Sequence, residues 1–136
     1  MDINQRDECV YIRSLSSLDA AEWVMRKYRT LPYCLSHRSW KKAEQIRLAQ
    51  FYLKNSLPFV SEDGYEAFLH FMSIPLFIKF LREFVPNIEP TRLGLLLYYV
   101  EPTLNKFSKT EKDEYVVSEF IQDLKNMISE NTDSQV

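Results

Sequence analysis

Residues 61–86 read SEDGYEAFLHFMSIPLFIKFLREFVP, and two helix starts and one helix stop follow one another inside them. Ser61 precedes Glu62 and Asp63, a capping residue followed by acids at the end of a helix where the dipole favours negative charge. Tyr65, Phe68, Leu69 and Met72 then recur at helical spacing and give one apolar stripe. Ser73 is a second cap, with Pro75 in the opening turn, where its missing N–H does no harm. Leu76, Phe77, Phe80, Leu81 and Phe84 make so wide an apolar surface that this helix is expected at the centre of the fold, and Pro86 stops it.

The flanking sequence continues the pattern. Gly64 and Gly94 are the only glycines in 136 residues, too few for the tight turns that hairpins require. Upstream, Ser17 with Asp19 and Glu22 opens a helix running to about Arg29, which Pro32 ends. Ser39 caps a helix expected from Trp40 to about Lys54, with Trp40, Ala43, Ile46, Ala49 and Leu53 on one side, and Asn55 to Pro58 closes it. Downstream, Pro90 opens a helix carrying Leu93, Leu96, Leu97 and Val100, which Pro102 is expected to break or kink. Ser108 and Glu111 read as a capping box for a long last helix carrying Val116, Val117, Phe120, Ile121, Leu124, Met127 and Ile128. The expected architecture is all-α: one compact bundle of about six helices over residues 1–130, with a frayed tail at 131–136.

The chain is the size of a single domain, and one hydrophobic core is expected. Its start, MDINQRDECVYIR, has neither the basic residues nor the apolar run of a secretory signal. The most apolar stretch, Phe68 to Val85, is interrupted by His70, Pro75, Lys79, Arg82 and Glu83, so no membrane span is expected. Cys9 and Cys34 lie in no metal-type spacing and read as reduced thiols of a cytoplasmic protein.

No catalytic or cofactor motif stands out. His37 and His70 are the only histidines. Glu66 and His70 share a helical spacing but are too few to make a metal site. Cys34 and His37 form a C-x-x-H pair with nothing nearby to supply an oxyanion hole. There is no phosphate-binding glycine loop, no G-x-S-x-G and no H-E-x-x-H. The expectation is a protein that is not an enzyme and needs neither metal nor cofactor.

Charge is distributed unevenly. Residues 26–54 hold eight basic side chains against one acid, Glu44, a balance of +7, while the whole chain is at −2. Such asymmetry steers charged partners. Acids gather on the expected helices at Glu62, Asp63 and Glu66 and at Glu111, Asp113, Glu114, Glu119 and Asp123. Small, acidic, helical chains without catalytic motifs have the profile of inhibitor or immunity-type proteins. The leading expectation is therefore a module that binds another protein, a cationic toxin or nuclease, and occludes its basic site. The alternative is a nucleic-acid-binding regulator that uses the basic aromatic segment 26–54, with Arg38, Trp40, Lys41, Lys42 and Arg47 as its candidate residues, pairing cations for phosphates with Tyr28, Tyr33, Trp40, Phe51 and Tyr52 for base stacking.

Overall fold

A computed structural model describes residues 3–29 and 34–134, and these contain helices and turns with no strand. The helices are α1 (Ile3–Ser14), α2 (Ser17–Lys27), α3 (Lys42–Ser56), α4 (Glu62–Leu69), α5 (Ile74–Phe84), α6 (Leu93–Phe107) and α7 (Glu111–Ser134). Single 3₁₀ turns cover Leu35–His37, Val85–Asn87 and Pro90–Arg92. The all-α bundle is as expected, with one helix more. The sequence reading passed over α1 because only Cys9 and Ile12 along it are fully buried, too few to give a periodic stripe.

Several boundaries sit where local hydrogen bonds are best satisfied. Ser16, one residue before the expected cap, accepts the Asp19 N–H at 3.1 Å and starts α2. Ser17 is buried and its hydroxyl accepts the Lys41 N–H at 3.1 Å. Helix α2 ends at Lys27, before Arg29, and Pro32 and Tyr33 lie outside the described residues. Helix α3 begins at Lys42 with no side-chain cap, so neither Ser39 nor Trp40 belongs to it. The Trp40 indole instead donates to the Leu35 carbonyl at 2.8 Å. This later start fixes the buried face of α3 at Leu48, Ala49, Tyr52 and Leu53 and leaves Ala43 exposed.

At α7 the capping box is shifted by two residues. Thr110 Oγ1 accepts the Asp113 N–H and the Asp113 carboxylate accepts the Lys109 N–H, both at 3.1 Å. Ser108 is already engaged, donating its hydroxyl to the Leu104 carbonyl at 2.8 Å. Helix α6 runs on through Pro102 as one element, and Pro102 faces solvent. The Ser73 cap and Pro75 hold as read, Ser73 Oγ accepting the Leu76 N–H at 3.3 Å. Helix α7 continues through residues 131–134, part of the stretch expected to fray, and residues 135 and 136 lie outside the described set.

Packing runs from α1 to α2 to α3 to α5 to α7 to α6 to α4, and α4 returns against α5 and the turn at 35–37. Helix α5 is central, with Ile74, Phe77, Ile78, Phe80 and Leu81 buried between α3 and α7. Many of the aromatic side chains face inward, while Tyr11, Tyr98 and Tyr115 are exposed. Phe68 stacks on Phe77 at 5.7 Å and on Phe59 at 6.3 Å, and meets Tyr52 edge-on at 6.0 Å. Each such ring contributes about 1.5–3 kcal/mol through burial. Among the described residues no helix is long and apolar enough to cross a membrane.

Candidate functional site

The acids singled out in the sequence divide by what they already hold. Asp113 serves the cap of α7, Asp123 pairs with Arg82 at 2.9 Å, and Glu119 accepts the Tyr115 hydroxyl at 2.8 Å. Glu66 is half-buried and accepts from Lys106 Nζ at 2.8 Å. That hydrogen bond raises the Lys106 pKa, and the fields of Glu62 and Asp63 raise it further. Glu62, Asp63, Glu111 and Glu114 point to solvent. The acids of α4 and those that open α7, Glu111, Asp113 and Glu114, are joined through the end of α6. Lys106 and Phe107 close α6 against Glu66 and His70, and α7 begins four residues after Phe107, within about 14 Å even for extended chain.

Two of the basic candidates have structural work. Arg38 donates from one guanidinium nitrogen to the Ile12 and Leu15 carbonyls at 2.7 and 2.9 Å, closing the end of α1. Its guanidinium also lies over the buried Trp40 ring, 4.7 Å from the centroid. Trp40 therefore offers no exposed stacking face. Lys41 and Lys42 are exposed at the start of α3, and Arg47 pairs with Glu22 at 3.4 Å.

A cleft of about 730 Å³ opens beside α4, within the size range of ligand pockets. One wall is the segment after α3, where the Leu57–Pro58 peptide is cis and Pro58 and Phe59 are buried. Val60, on the lip, is 68% exposed. The Phe59 N–H donates to the Tyr65 hydroxyl at 3.0 Å, and the Phe59 ring lies directly on Gly64. A Cβ on Gly64 would sit 2.6 Å from Phe59 Cγ, so the absence of a side chain there shapes the wall. Burial raises the Tyr65 pKa, which keeps its hydroxyl protonated.

The cleft also has polar lining residues. Asp63 and Glu66 reach it from α4, and Arg92 from the turn before α6. His70 at the end of α4 and His37 from the 35–37 turn line the same space. The only two histidines of the chain thus share one cleft, which the sequence reading did not anticipate. Thirty-three positions separate them, and no local spacing marks the relation. His70 meets the Phe107 ring edge-on at 5.4 Å. Chemically the cleft offers an apolar wall, two imidazoles, the Arg92 guanidinium and two carboxylates, of which Glu66 is paired with Lys106 and Asp63 is exposed to receive a cation carried on an apolar stem. Among the described residues no group of three or more His, Cys, Asp and Glu is placed to hold a metal ion.

The chain matches no family model, no curated protein and no solved structure.

Proposed function

We propose that this protein is a non-enzymatic binding module that receives a cationic, partly apolar element of another protein in the α4 cleft. The observation that carries the reading is that Asp63 and Glu66, two of the acids marked in the sequence, line a ready-formed cleft together with Pro58, Phe59 and Val60. A lysine or arginine side chain combines the apolar stem and charged head that such walls select. Glu62, Glu111 and Glu114 extend the negative field around the cleft and steer a cationic partner toward it. Burial of the stem against the Phe59 wall would supply most of the affinity.

In its specific form, the module is an inhibitor or immunity-type protein. Its carboxylates take the places of substrate phosphates in the basic site of a toxin or nuclease, and the bound body blocks access. The cytoplasm is the proposed compartment, in keeping with two buried cysteines whose sulfurs stand 3.8 Å apart as free thiols.

The test is capture of partner from native extract on immobilised protein at low and high salt, comparing wild type with Asp63→Asn/Glu66→Gln and with Glu111→Gln/Glu114→Gln. The expected result is a basic partner released by salt, lost with the cleft pair and weakened with the α7 pair. A partner retained undiminished by the cleft variant, or one that is itself acidic, overturns the reading.

A further inference from the structure

A second cleft, of about 680 Å³, lies between α2 and α3 and has the opposite charge. The two helices run side by side in the same direction. Ser17 bonds to Lys41, Glu22 faces Arg47, and the Tyr52 hydroxyl reaches the Val24 and Tyr28 carbonyls. Their final turns therefore end together. Arg26, Arg29 and Arg47 all line the space between them, with Glu22 the only acid there. Arg26 uses its Nε on the Glu22 carbonyl at 3.4 Å, and Arg29 makes no ion pair among the described residues. Three guanidiniums against one carboxylate leave the cleft at +2.

Helix dipoles favour cations at C-terminal turns, which accounts for Arg26 and Arg29 being at the end of α2. It does not account for Arg47, which lies in the interior of α3. Ser56 lines both this cleft and the α4 cleft, and its buried hydroxyl oxygen is the one buried side-chain N or O atom without a hydrogen-bond partner among the described residues. Phe51, half-buried, presents an aromatic ring to the α2–α3 cleft.

We propose that the α2–α3 cleft binds a nucleotide-sized phosphorylated ligand, with Arg26, Arg29 and Arg47 on the phosphate and Phe51 against the base. Guanidinium forks match phosphate oxygens in pairs, and bases stack on aromatic rings whatever their identity. The same chemistry belongs to a free nucleoside monophosphate and to the 5′-phosphate end of an RNA strand. Arg26, Arg29, Arg47 and Phe51 all belong to the basic aromatic segment 26–54 marked in the sequence for nucleic acid, whereas Arg38, Trp40, Lys41 and Lys42 do not line this cleft. The proposal does not depend on the protein-binding reading, whose carboxylates lie in the other cleft.

The experiment is calorimetric titration at low salt with AMP, a 5′-phosphorylated RNA trinucleotide, its unphosphorylated counterpart and inorganic phosphate. AMP or the phosphorylated strand is expected to bind, and whichever is tighter identifies the source of the ligand. Arg26→Gln/Arg29→Gln is expected to weaken that binding about tenfold or more, given the strength of charge-assisted bonds. Arg29→Gln alone, at an exposed position outside any helix, provides the same direction of change should the double variant fold poorly. Phe51→Leu is expected to weaken nucleotide while leaving inorganic phosphate unchanged. The proposal falls if neither phosphorylated probe binds at about 5 mM, a concentration that detects even millimolar affinity. It also falls if the arginine variants bind as wild type, or if inorganic phosphate or the unphosphorylated strand binds equally well.

Discussion

The two glycines are both helical, yet alanine should move stability in opposite directions at the two positions. At Gly94, in the first turn of α6, an added Cβ meets nothing within 4 Å. The gain is then the ordinary helical preference for alanine, about 0.5–1 kcal/mol. At Gly64 the same methyl would lie 2.6, 2.8 and 2.9 Å from Phe59 Cγ, Cδ2 and Cβ. These atoms are near the Phe59 backbone, so no simple rotation of a flexible end relieves the contact. Phe59 is also held by its N–H bond to Tyr65 and by ring contacts to Tyr65 at 4.9 Å and Phe68 at 6.3 Å. Overpacking of this kind costs about 1–3 kcal/mol, which outweighs the propensity gain and leaves a net loss of about 1–2 kcal/mol. Urea unfolding followed by far-ultraviolet circular dichroism measures both variants, with Gly94→Ala expected above wild type and Gly64→Ala below. A Gly64→Ala protein as stable as Gly94→Ala would refute the packing of Phe59 on α4, and with it the shape of the cleft wall.

Other outcomes follow from single contacts. Tyr65→Phe leaves the buried Phe59 N–H without its acceptor and should cost about 1–3 kcal/mol in the same unfolding assay. Arg38→Ala removes two charge-assisted bonds from the end of α1 and should cost about 2 kcal/mol, so nucleic-acid retention by that variant must be read against its melting curve. Asp113→Ala should cost about 1 kcal/mol while Glu111→Ala stays within about 0.5 kcal/mol, which separates the observed α7 cap from the one expected in the sequence. Burial, reinforced by the neighbouring Cys9, raises the Cys34 thiol above its ordinary 9.0. The native state therefore holds that proton more tightly than the unfolded chain does, and its contribution to stability, complete below pH 9.0, is lost as alkaline pH rises. At pH 8 a thiol reagent should label neither cysteine quickly in the folded protein and both in urea; rapid native labelling of Cys34 would contradict its burial.

Where a helix signal was local, the sequence disclosed it. Ser73 and Pro75 fix α5 because cap and proline act within one turn, and the apolar surface from Leu76 to Phe84 marks it as central. Where a capping residue had a competing partner, the reading slipped. Ser108 bonds back to Leu104, and Ser17 turns inward to Lys41, so the true caps are Thr110 and Ser16. Trp40 followed the helical period of α3, but its indole is tied to Leu35, and the helix starts after it. Both clefts were illegible for a different reason. The first joins residues from Ser36 to Arg92 and the second joins Glu22 to Ser56, so neither exists until the helices pack. The acids at Asp63 and Glu66 were visible in the sequence, whereas the wall that gives them a use depends on Phe59 lying on a glycine.

The central claim is that the α4 cleft is the working surface and takes a cation on an apolar stem. Amide chemical-shift mapping with a short peptide of alternating arginine and leucine tests it directly. The largest shifts are expected at Val60, Asp63, Gly64 and Ala67, and are expected to vanish in Asp63→Asn/Glu66→Gln. Shifts centred on the distal half of α7 or on the α2–α3 cleft, or shifts of equal size in that variant, would contradict the claim.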